Sequence, residues 1–206
     1  MRIHIGSRLL VFESDEELGI ASTAVLGGGL CRGRCIVSLK VPSGYAGDDP
    51  AADIPAAAVA EGWRPDVGLM TAVDPDRARL AAASAGGVTA VAAVTAEVSR
   101  PWAAGSSSGP HPLAGTINTV VLLDRALAPA AALNVIATVT EAKVLGLFEA
   151  RIRTPDGQSA SDTATDAVVV AWPAAGVPLP YGGPATPCGW AAAAATRQAL
   201  REALCG

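Results

Sequence analysis

The sequence has few aromatic residues. Only 4% of its 206 residues are Phe, Trp or Tyr, although 50% are hydrophobic. Ala, Val, Leu and Gly must therefore make up most of the core, and such small side chains allow layers of secondary structure to pack closely. A single core can grow to roughly 250 residues before it splits. We therefore expect one domain over residues 1–206.

Basic residues are also scarce. The chain has 15 Lys and Arg against 19 Asp and Glu, and its formal net charge is −4. A phosphate backbone binds clustered Lys and Arg, so this composition argues against a nucleic-acid partner. The first residues contain no long apolar segment with a cleavage site, and no stretch reaches the roughly 20 apolar residues of a membrane-spanning helix. We therefore expect a cytoplasmic protein with no membrane partner.

Histidine and cysteine are too few for the commonest catalytic and metal sites. His4 lies in a predicted strand and His111 between two prolines, so a Ser-His-Asp triad has poor support. The four cysteines form no C-x-x-C pair. Cys31 and Cys35 would share one face of a strand, which a zinc site could use, but free cysteines are usually small apolar core residues. We therefore expect no metal site.

One stretch of the chain combines polar groups with the pattern of a buried strand. Residues 115–124 begin with Gly115, place Thr116 and Asn118 among apolar residues, and continue with four apolar residues before Asp124. This pattern is typical of a buried strand with functional groups at its start. Because residues two apart face the same side of a strand, Thr116 and Asn118 should share a face.

A helix should follow this strand. Pro129 suits a first helical turn, and apolar residues then recur at spacings of three and four, which predicts a helix over 129–149. The other side of this helix carries polar residues that include Glu141, and Lys143 lies nearby.

Residues 165–171 repeat the pattern of the first strand. Thr165 and Asp166 precede a run of apolar, mostly β-branched residues. Two similar strands with a helix between them would place Thr116, Asn118, Thr165 and Asp166 at neighbouring strand ends.

The remaining elements follow from periodicity and from Gly and Pro breakers. The pattern predicts one strand or a hairpin over residues 2–12, and strands over 35–41, 67–73 and 88–98. It predicts helices over 53–60, with Asp53 as the cap, and over 189–204. Residues 77–85 favour a helix, although their alanines suit a strand as well. Together these elements predict a single α/β domain with a buried, Val-rich sheet covered by helices.

Two loops could contact a ligand. Ser22 and Thr23 precede three consecutive glycines, 27–29, whose exposed N–H groups could hold an anionic or amide-bearing ligand. A bulge or turn explains the same glycines, and no Lys-Ser/Thr pair follows as in a P-loop. Residues 102–112 are rich in Gly, Ser and Pro and lead into Gly115. They form either a gate over the substrate or a plain surface loop.

Six motifs follow one another along the chain. They are Ser22-Thr23-Ala24 with Gly28-Gly29, Val67-Gly68-Leu69-Met70-Thr71-Ala72, Gly115-Thr116-Ile117-Asn118-Thr119, Thr140-Glu141-Ala142-Lys143, Thr165-Asp166-Ala167-Val168-Val169, and Tyr181 with Gly183-Pro184 and Thr186. In this order they resemble the adenosylcobinamide amidohydrolases of the CbiZ type, and the resemblance covers most of the chain. The chain departs from the family pattern at Gly27, Glu97 and Ala185, where Asn, Gly and a polar residue are expected.

The resemblance implies a hydrolase of corrinoid salvage in cobalamin biosynthesis. The bond cleaved would be the amide that joins a propionate side chain of the corrin ring to aminopropanol, and adenosylcobyric acid would be released. The partner would be a small-molecule cobalt corrinoid, which is the substrate, so no cofactor is expected. A homo-oligomer is compatible with the sequence. The residues expected to contact the substrate are Ser22, Thr23, Gly28, Gly29, Lys143, Thr165, Tyr181 and Thr186.

A fainter resemblance is to self-processing aminopeptidases of the DmpA and ornithine acetyltransferase type. In these enzymes a hydroxyl residue becomes an N-terminal nucleophile after self-cleavage, and Gly115-Thr116 before a β-rich run is similar. This resemblance implies an α+β domain in which helices cover a pair of stacked sheets, a layered α-β-β-α sandwich. It also makes Thr116 the leading candidate for the nucleophile.

Amide hydrolysis needs a nucleophile, a base, donors for the oxyanion and an acid for the leaving amine. We expect Thr116 to attack, the amide of Asn118 to hold the substrate carbonyl or the oxyanion, and Glu141 or Asp166 to act as the base. A carboxylate could instead activate water directly. Two other functions stay open at this point: a self-processing peptidase, and a protein that binds a corrinoid or another small ligand without chemistry.

Overall fold

Helices separate groups of strands along the chain. The computed structural model describes residues 1–105 and 115–205. Its elements are β1 (Arg2–Ile5), β2 (Leu9–Ser22), β3 (Gly29–Lys40), α1 (Pro50–Ala60), β4 (Val67–Thr71), a 3₁₀ turn (Pro75–Arg77), β5 (Arg79–Ala85), β6 (Val88–Glu97), β7 (Thr116–Leu123), α2 (Pro129–Glu149), β8 (Ala167–Pro173) and α3 (Pro187–Cys205). Most of the predicted gating loop, 102–112, lies outside the described residues.

The strands form one mixed sheet in the order β4-β3-β2-β8-β7-β6-β5, with β1 paired to β2. β7 and β8 are parallel neighbours, joined by the crossover helix α2. A parallel pair needs such a crossover because its two strands start at the same end of the sheet. The prediction that Thr116 and Thr165 lie at the starts of neighbouring strands is confirmed, because Thr165 lies two residues before β8.

The sheet is bent, so its two halves pack against each other. Strands β7 and β8 direct alternate residues to opposite sides, as the strand period of two requires. Ile117 and Val121 face α2 and α3, whereas Val120 packs against Phe12 and Leu69 of the other half. Helix α1 covers the far side of β2 and β3. The result is the predicted α+β arrangement of α-β-β-α layers.

Two predictions about regular structure were wrong. Residues 77–85, predicted as a helix, form the 3₁₀ turn and then β5, because pairing with β6 overrides the helix propensity of alanine. Helix α1 is capped by Asp49, whose side chain accepts a hydrogen bond from the Ala52 N–H, and not by Asp53. Asp53 lies in the first helical turn.

Helix α2 is long and apolar enough to revise the expectation that no stretch could span a membrane. It has 21 residues and a mean hydropathy of 1.4 in its most apolar 18-residue window, so by length and composition it could cross a membrane. Half of that window is buried inside the protein, and the buried side includes Lys143, whose ammonium group is paired with carboxylates. These are the properties of a helix that packs on the core of a folded domain.

Candidate functional site

A cleft with a volume of about 330 Å³ opens where β7 and β8 begin. It lies at one end of the inner layer, between β4 of one half of the sheet and β7 of the other. The lining residues are Thr23, Val25, Val41, Pro42, Ser43, Gly44, Tyr45, Pro50, Leu69, Met70, Thr71, Ala72, Glu97, Gly115, Thr116, Asn118, Thr165, Asp166 and Ala167. Four of its polar residues lie at the starts of two parallel strands: Thr116, Asn118, Thr165 and Asp166.

Two hydroxyl groups meet in the cleft. The Oγ1 atoms of Thr116 and Thr165 are 2.6 Å apart, and Thr165 Oγ1 also donates to the carbonyl oxygen of Gly115 at 3.1 Å. Since Thr165 has one hydroxyl proton and donates it to Gly115, its oxygen is the acceptor for the proton of Thr116. The hydroxyl of Thr116 therefore points its proton towards Thr165 and leaves its lone pairs for the cleft.

Asp166 holds the starts of β7 and β8 together. Its Oδ1 atom accepts two hydrogen bonds, one from the Ile117 N–H at 2.8 Å and one from the Thr163 hydroxyl. The other oxygen lies 2.7 Å from the Lys143 Nζ atom. Lys143 is buried and also pairs with Asp162 at 2.7 Å. The ion pairs therefore anchor α2 to the segment that precedes β8.

The two carboxyl groups beside Lys143 differ in their pKa values. Burial raises the pKa of Asp166 to about 6, with a further contribution from Asp162, while Lys143 opposes the shift. Burial also acts to raise the pKa of Asp162, but hydrogen bonding with Asp166 and Lys143 outweighs it and lowers that pKa. One proton therefore resides more readily on Asp166 than on Asp162.

Asn118 is oriented by β4. Its Nδ2 atom donates a hydrogen bond to the carbonyl oxygen of Met70 at 2.7 Å, which fixes the direction of the side-chain amide. Asn118 lies on the same side of β7 as Thr116, as predicted, and both residues line the cleft. Its Oδ1 atom is buried and has no hydrogen-bond partner within the described ranges 1–105 and 115–205.

Glu97 is a cleft residue that the sequence analysis treated only as a departure from the family pattern. It is the last residue of β6 and lies directly opposite Thr116 in the antiparallel register. Directly opposed residues have Cβ atoms about 4.5–5.5 Å apart and face the same side. The sequence contains no signal for this contact, because the loop between β6 and β7 leaves their register open.

The Gly-rich loop contributes Thr23 and Val25 to the cleft. Thr23 lines it, and its Oγ1 atom accepts a hydrogen bond from the Val168 N–H at 2.9 Å. Ser22 is buried, and its hydroxyl caps the turn by accepting a bond from the Ala24 N–H at 2.9 Å. Gly28 fits tightly, since a Cβ there would lie 2.8 Å from the Ala24 carbonyl oxygen. The cleft lining does not include Ser22, Gly28 or Gly29, so their predicted substrate contacts have no support from the geometry.

Glu141 does not point into the cleft, so its predicted convergence with Thr116 and Asp166 is wrong. It is exposed on the outer side of α2, while Lys143 is buried beside Asp166. Residues two apart on a helix point in directions about 200° apart, so the two side chains of one motif lie on opposite sides. Lys143 itself is enclosed by carboxylates and does not line the cleft, contrary to its predicted substrate contact.

Tyr181 and Thr186 lie at the other end of the sheet. Thr186 stabilises the start of α3, because its Oγ1 atom accepts a hydrogen bond from the Gly189 N–H at 3.1 Å. The neighbouring Pro187 packs against Gly86, in the turn where β6 starts, whereas the cleft lies where β6 ends. Tyr181 is exposed and precedes α3. Their predicted contacts with the substrate are therefore wrong for a substrate bound in this cleft.

The loop over residues 41–50 forms one wall of the cleft. The hydroxyl of Tyr45 donates a hydrogen bond to Asp53 of α1, and this bond raises the pKa of Tyr45 to about 12. Tyr45 therefore stays neutral and presents its ring to the cleft. Within the described part of the chain, no three His, Cys, Asp or Glu residues are grouped closely enough to hold a metal ion.

The sequence matches known proteins over its whole length. The family model described as adenosylcobinamide amidohydrolase (CbiZ) matches residues 1–206. A curated protein of Halobacterium salinarum, named adenosylcobinamide amidohydrolase, is 32% identical over an alignment of 183 residues, and the match covers 86% of this chain and 76% of that protein.

Two solved structures share the fold. A β-aminopeptidase of Burkholderia sp. superposes with a TM-score of 0.51 at 17% identity, and the match covers 97% of this chain and 79% of that one. The PH0078 protein from Pyrococcus horikoshii OT3 has a TM-score of 0.52 at 13% identity, with 99% and 79% covered. At these identities the similarity establishes the fold alone.

Proposed function

Because the chain belongs to the adenosylcobinamide amidohydrolase family, we propose that it hydrolyses the amide of adenosylcobinamide to adenosylcobyric acid and aminopropanol. The observation that carries this proposal is the family match over all 206 residues. The cleft agrees with the chemistry, since it places the hydroxyl of Thr116 beside carboxyl and amide side chains. The proposal includes a cytoplasmic reaction that needs no cofactor besides the corrinoid substrate.

The volume of the cleft restricts what can enter it. A site of about 330 Å³ is at the small end of the range for ligand pockets, whereas a corrin ring is much larger. Only the amide-bearing side chain of the substrate therefore fits inside. The ring would remain at the mouth, where Val25, Pro42 and Tyr45 provide apolar surface.

Thr116 is the proposed nucleophile. Attack of its Oγ1 atom on the amide carbon would form an ester with the corrin side chain and release aminopropanol, which takes up the proton. Water would then hydrolyse the ester to adenosylcobyric acid. The hydrogen bond from Thr116 to Thr165 supports this role, because it orients the hydroxyl and leads its proton away from the attacking lone pair.

Two carboxyl groups are candidates for the base. Asp166 already accepts three hydrogen bonds, from Ile117, Thr163 and Lys143, so little of its capacity is left for a substrate proton. Glu97 lies opposite Thr116 and lines the cleft, and no hydrogen bond to its carboxylate is found among the described residues. We therefore propose Glu97 as the base that this chain uses, although the family pattern has Gly at this position, and Asp166 as the residue that positions Thr116 through the Ile117 N–H. The Thr116 hydroxyl would turn its proton from Thr165 to Glu97 before it attacks.

The test is incubation of the purified protein with adenosylcobinamide, followed by separation of adenosylcobyric acid and aminopropanol. Product formation by the wild type, retained after dialysis against EDTA, is the expected result.

Glu97→Gln is nearly isosteric and removes the proton acceptor, so turnover should fall roughly 10²- to 10⁴-fold with the fold unchanged. Intact mass of the active protein shows whether the bond before Thr116 is cut. Corrinoid binding without product would contradict the proposal and favour a binding protein.

A further inference from the structure

Two buried polar atoms lack hydrogen-bond partners, one on a residue that lines the cleft and the other on its neighbour across the sheet, which is not among the lining residues. One is the Oδ1 atom of Asn118, a residue that is only 3% exposed and lines the cleft. The other is the hydroxyl of Thr95, also 3% exposed. Neither atom has a partner among residues 1–105 and 115–205. Buried polar groups in native proteins are almost always paired, so two unpaired groups side by side need an explanation.

The two residues are direct neighbours across β6 and β7. Thr95 is opposite Asn118 in the register, one step deeper than the pair Glu97 and Thr116. All four side chains lie on the side of the sheet that carries Ala93 and Val120 in the inner layer. Successive residues on one side of a strand are about 7 Å apart, so the deeper pair lies one step below Thr116, on the path of a leaving group that extends past the amide carbon.

The chemistry of these atoms selects the kind of group that they bind. The Met70 carbonyl oxygen holds the Nδ2 atom of Asn118, which leaves the carbonyl oxygen of the side chain as the unpaired atom. A carbonyl oxygen can only accept hydrogen bonds, so its ligand must be a donor. This argues against the expected contact of Asn118 with the substrate carbonyl or oxyanion, since both of these are acceptors.

We propose that Asn118 Oδ1 and Thr95 Oγ1 bind the nitrogen side of the scissile amide and then the amine that leaves. This inference rests on the proposed function, and it identifies the subsite of the leaving group. The amide contributes one N–H before cleavage, and the released ammonium contributes three donors. The neighbouring carboxylate of Glu97 favours the same cationic product.

The experiment compares two Thr→Val variants, which keep the shape of the side chain and remove the hydroxyl. Thr95→Val removes the proposed acceptor. Thr119→Val is the matched control, because its hydroxyl is also buried and unpaired among the described residues, but it lies on the side of β7 that faces α2 and α3. Both variants should unfold at the wild-type temperature or above it, since neither loses a hydrogen bond within the protein.

Binding of 1-aminopropan-2-ol is measured by calorimetry, together with its inhibition of adenosylcobinamide turnover. Thr95→Val should bind the amine roughly 2- to 10-fold more weakly, the effect of one hydrogen bond, while Thr119→Val should match the wild type. Asn118→Ala should weaken binding at least as much. Propan-2-ol, which keeps the hydroxyl and lacks the amine, should bind more weakly than the amine to the wild type.

Two results would overturn the inference. A lower unfolding temperature for Thr95→Val alone would mean that its hydroxyl is already bonded in the free protein. Unchanged amine affinity in both Thr95→Val and Asn118→Ala would place the leaving group elsewhere, while turnover by the wild type would leave the proposed function standing. A wild type that binds the amine but forms no adenosylcobyric acid would contradict the proposed function instead.

Discussion

Thr116 is the residue on which the proposed mechanism depends. Thr116→Ala removes the attacking oxygen, so turnover of adenosylcobinamide should fall by roughly 10³-fold or more. Thr116→Ser keeps a hydroxyl at the same place and should retain measurable turnover. Corrinoid binding, followed by visible absorbance, should persist in both variants because the cleft wall is unchanged. An alanine variant with more than a tenth of wild-type turnover would indicate direct attack by water activated by a carboxylate.

Asp166 links stability to pH through its raised pKa. In the folded state this pKa is about 6, compared with an ordinary value of 3.8, and burial is the main cause. Folding therefore favours the protonated form, so the stabilisation due to Asp166 is complete below the ordinary pKa and is lost as the pH rises through about 6.

The difference in free energy of unfolding between wild type and Asp166→Asn should therefore fall, by up to about 3 kcal/mol, as the pH rises from roughly 4 to 6. Urea denaturation at a series of pH values measures it. Asp156→Asn is a control with the opposite sign, because hydrogen bonding from Thr154 lowers the pKa of the exposed Asp156. A constant or rising difference for Asp166→Asn would mean that its pairing with Lys143 outweighs burial.

At the scale of elements, α3 begins in close contact with the loop before it. A Cβ atom on Gly189 would lie 2.1 Å from the carbonyl oxygen of Gly183 and 2.5 Å from that of Gly182. Because both neighbours are backbone atoms, they cannot rotate away as a side chain would. Gly183 offers a matched position, since a Cβ there would meet nothing within 4 Å.

Gly189→Ala should therefore reduce the free energy of unfolding by about 1–3 kcal/mol, the usual cost of overpacking. Gly183→Ala should change it by less than about 0.5 kcal/mol. Thermal unfolding of the two variants and the wild type gives the comparison. Equal stability of the two variants would show that the start of α3 adjusts to the added methyl group.

Strand β2 shows how an irregularity shapes the layers. Its pairing with β3 shifts register between Glu13 and Leu18. As a consequence Cys35 packs under α1, whereas Cys31, four residues earlier on β3, packs against the inner layer. The expectation that Cys31 and Cys35 share a face was wrong for this reason, since the simple period of two does not continue through such a shift.

At the scale of the whole molecule, the excess of acidic residues should control non-specific binding. With a formal net charge of −4 the protein should not be retained on DNA at about 0.15 M salt, because acidic surfaces repel phosphates. Retention on a DNA column at increasing salt measures this. Binding with a steep salt dependence would contradict it and would point to a basic patch.

Local patterns in the sequence account for most of the helices and strands. Thr116 and Asn118 were placed on one side of a strand, and Thr165 beside Thr116, because strand periodicity and a crossover helix are local features of the chain. The same local signals failed where composition was ambiguous, as in the alanine-rich residues 77–85. The family was also recognisable from motifs that follow one another along the chain.

The polar groups that meet in the cleft depend on contacts between residues distant in sequence. Glu97 reaches Thr116 through the register of β6 on β7, and Lys143 rather than Glu141 reaches Asp166 through the rotation of α2 about its axis. Register and helix rotation are set by apolar contacts between residues distant in sequence, so a short motif cannot report them. The free oxygen of Asn118 depends in the same way on Met70, which packing of the two halves of the sheet brings beside it.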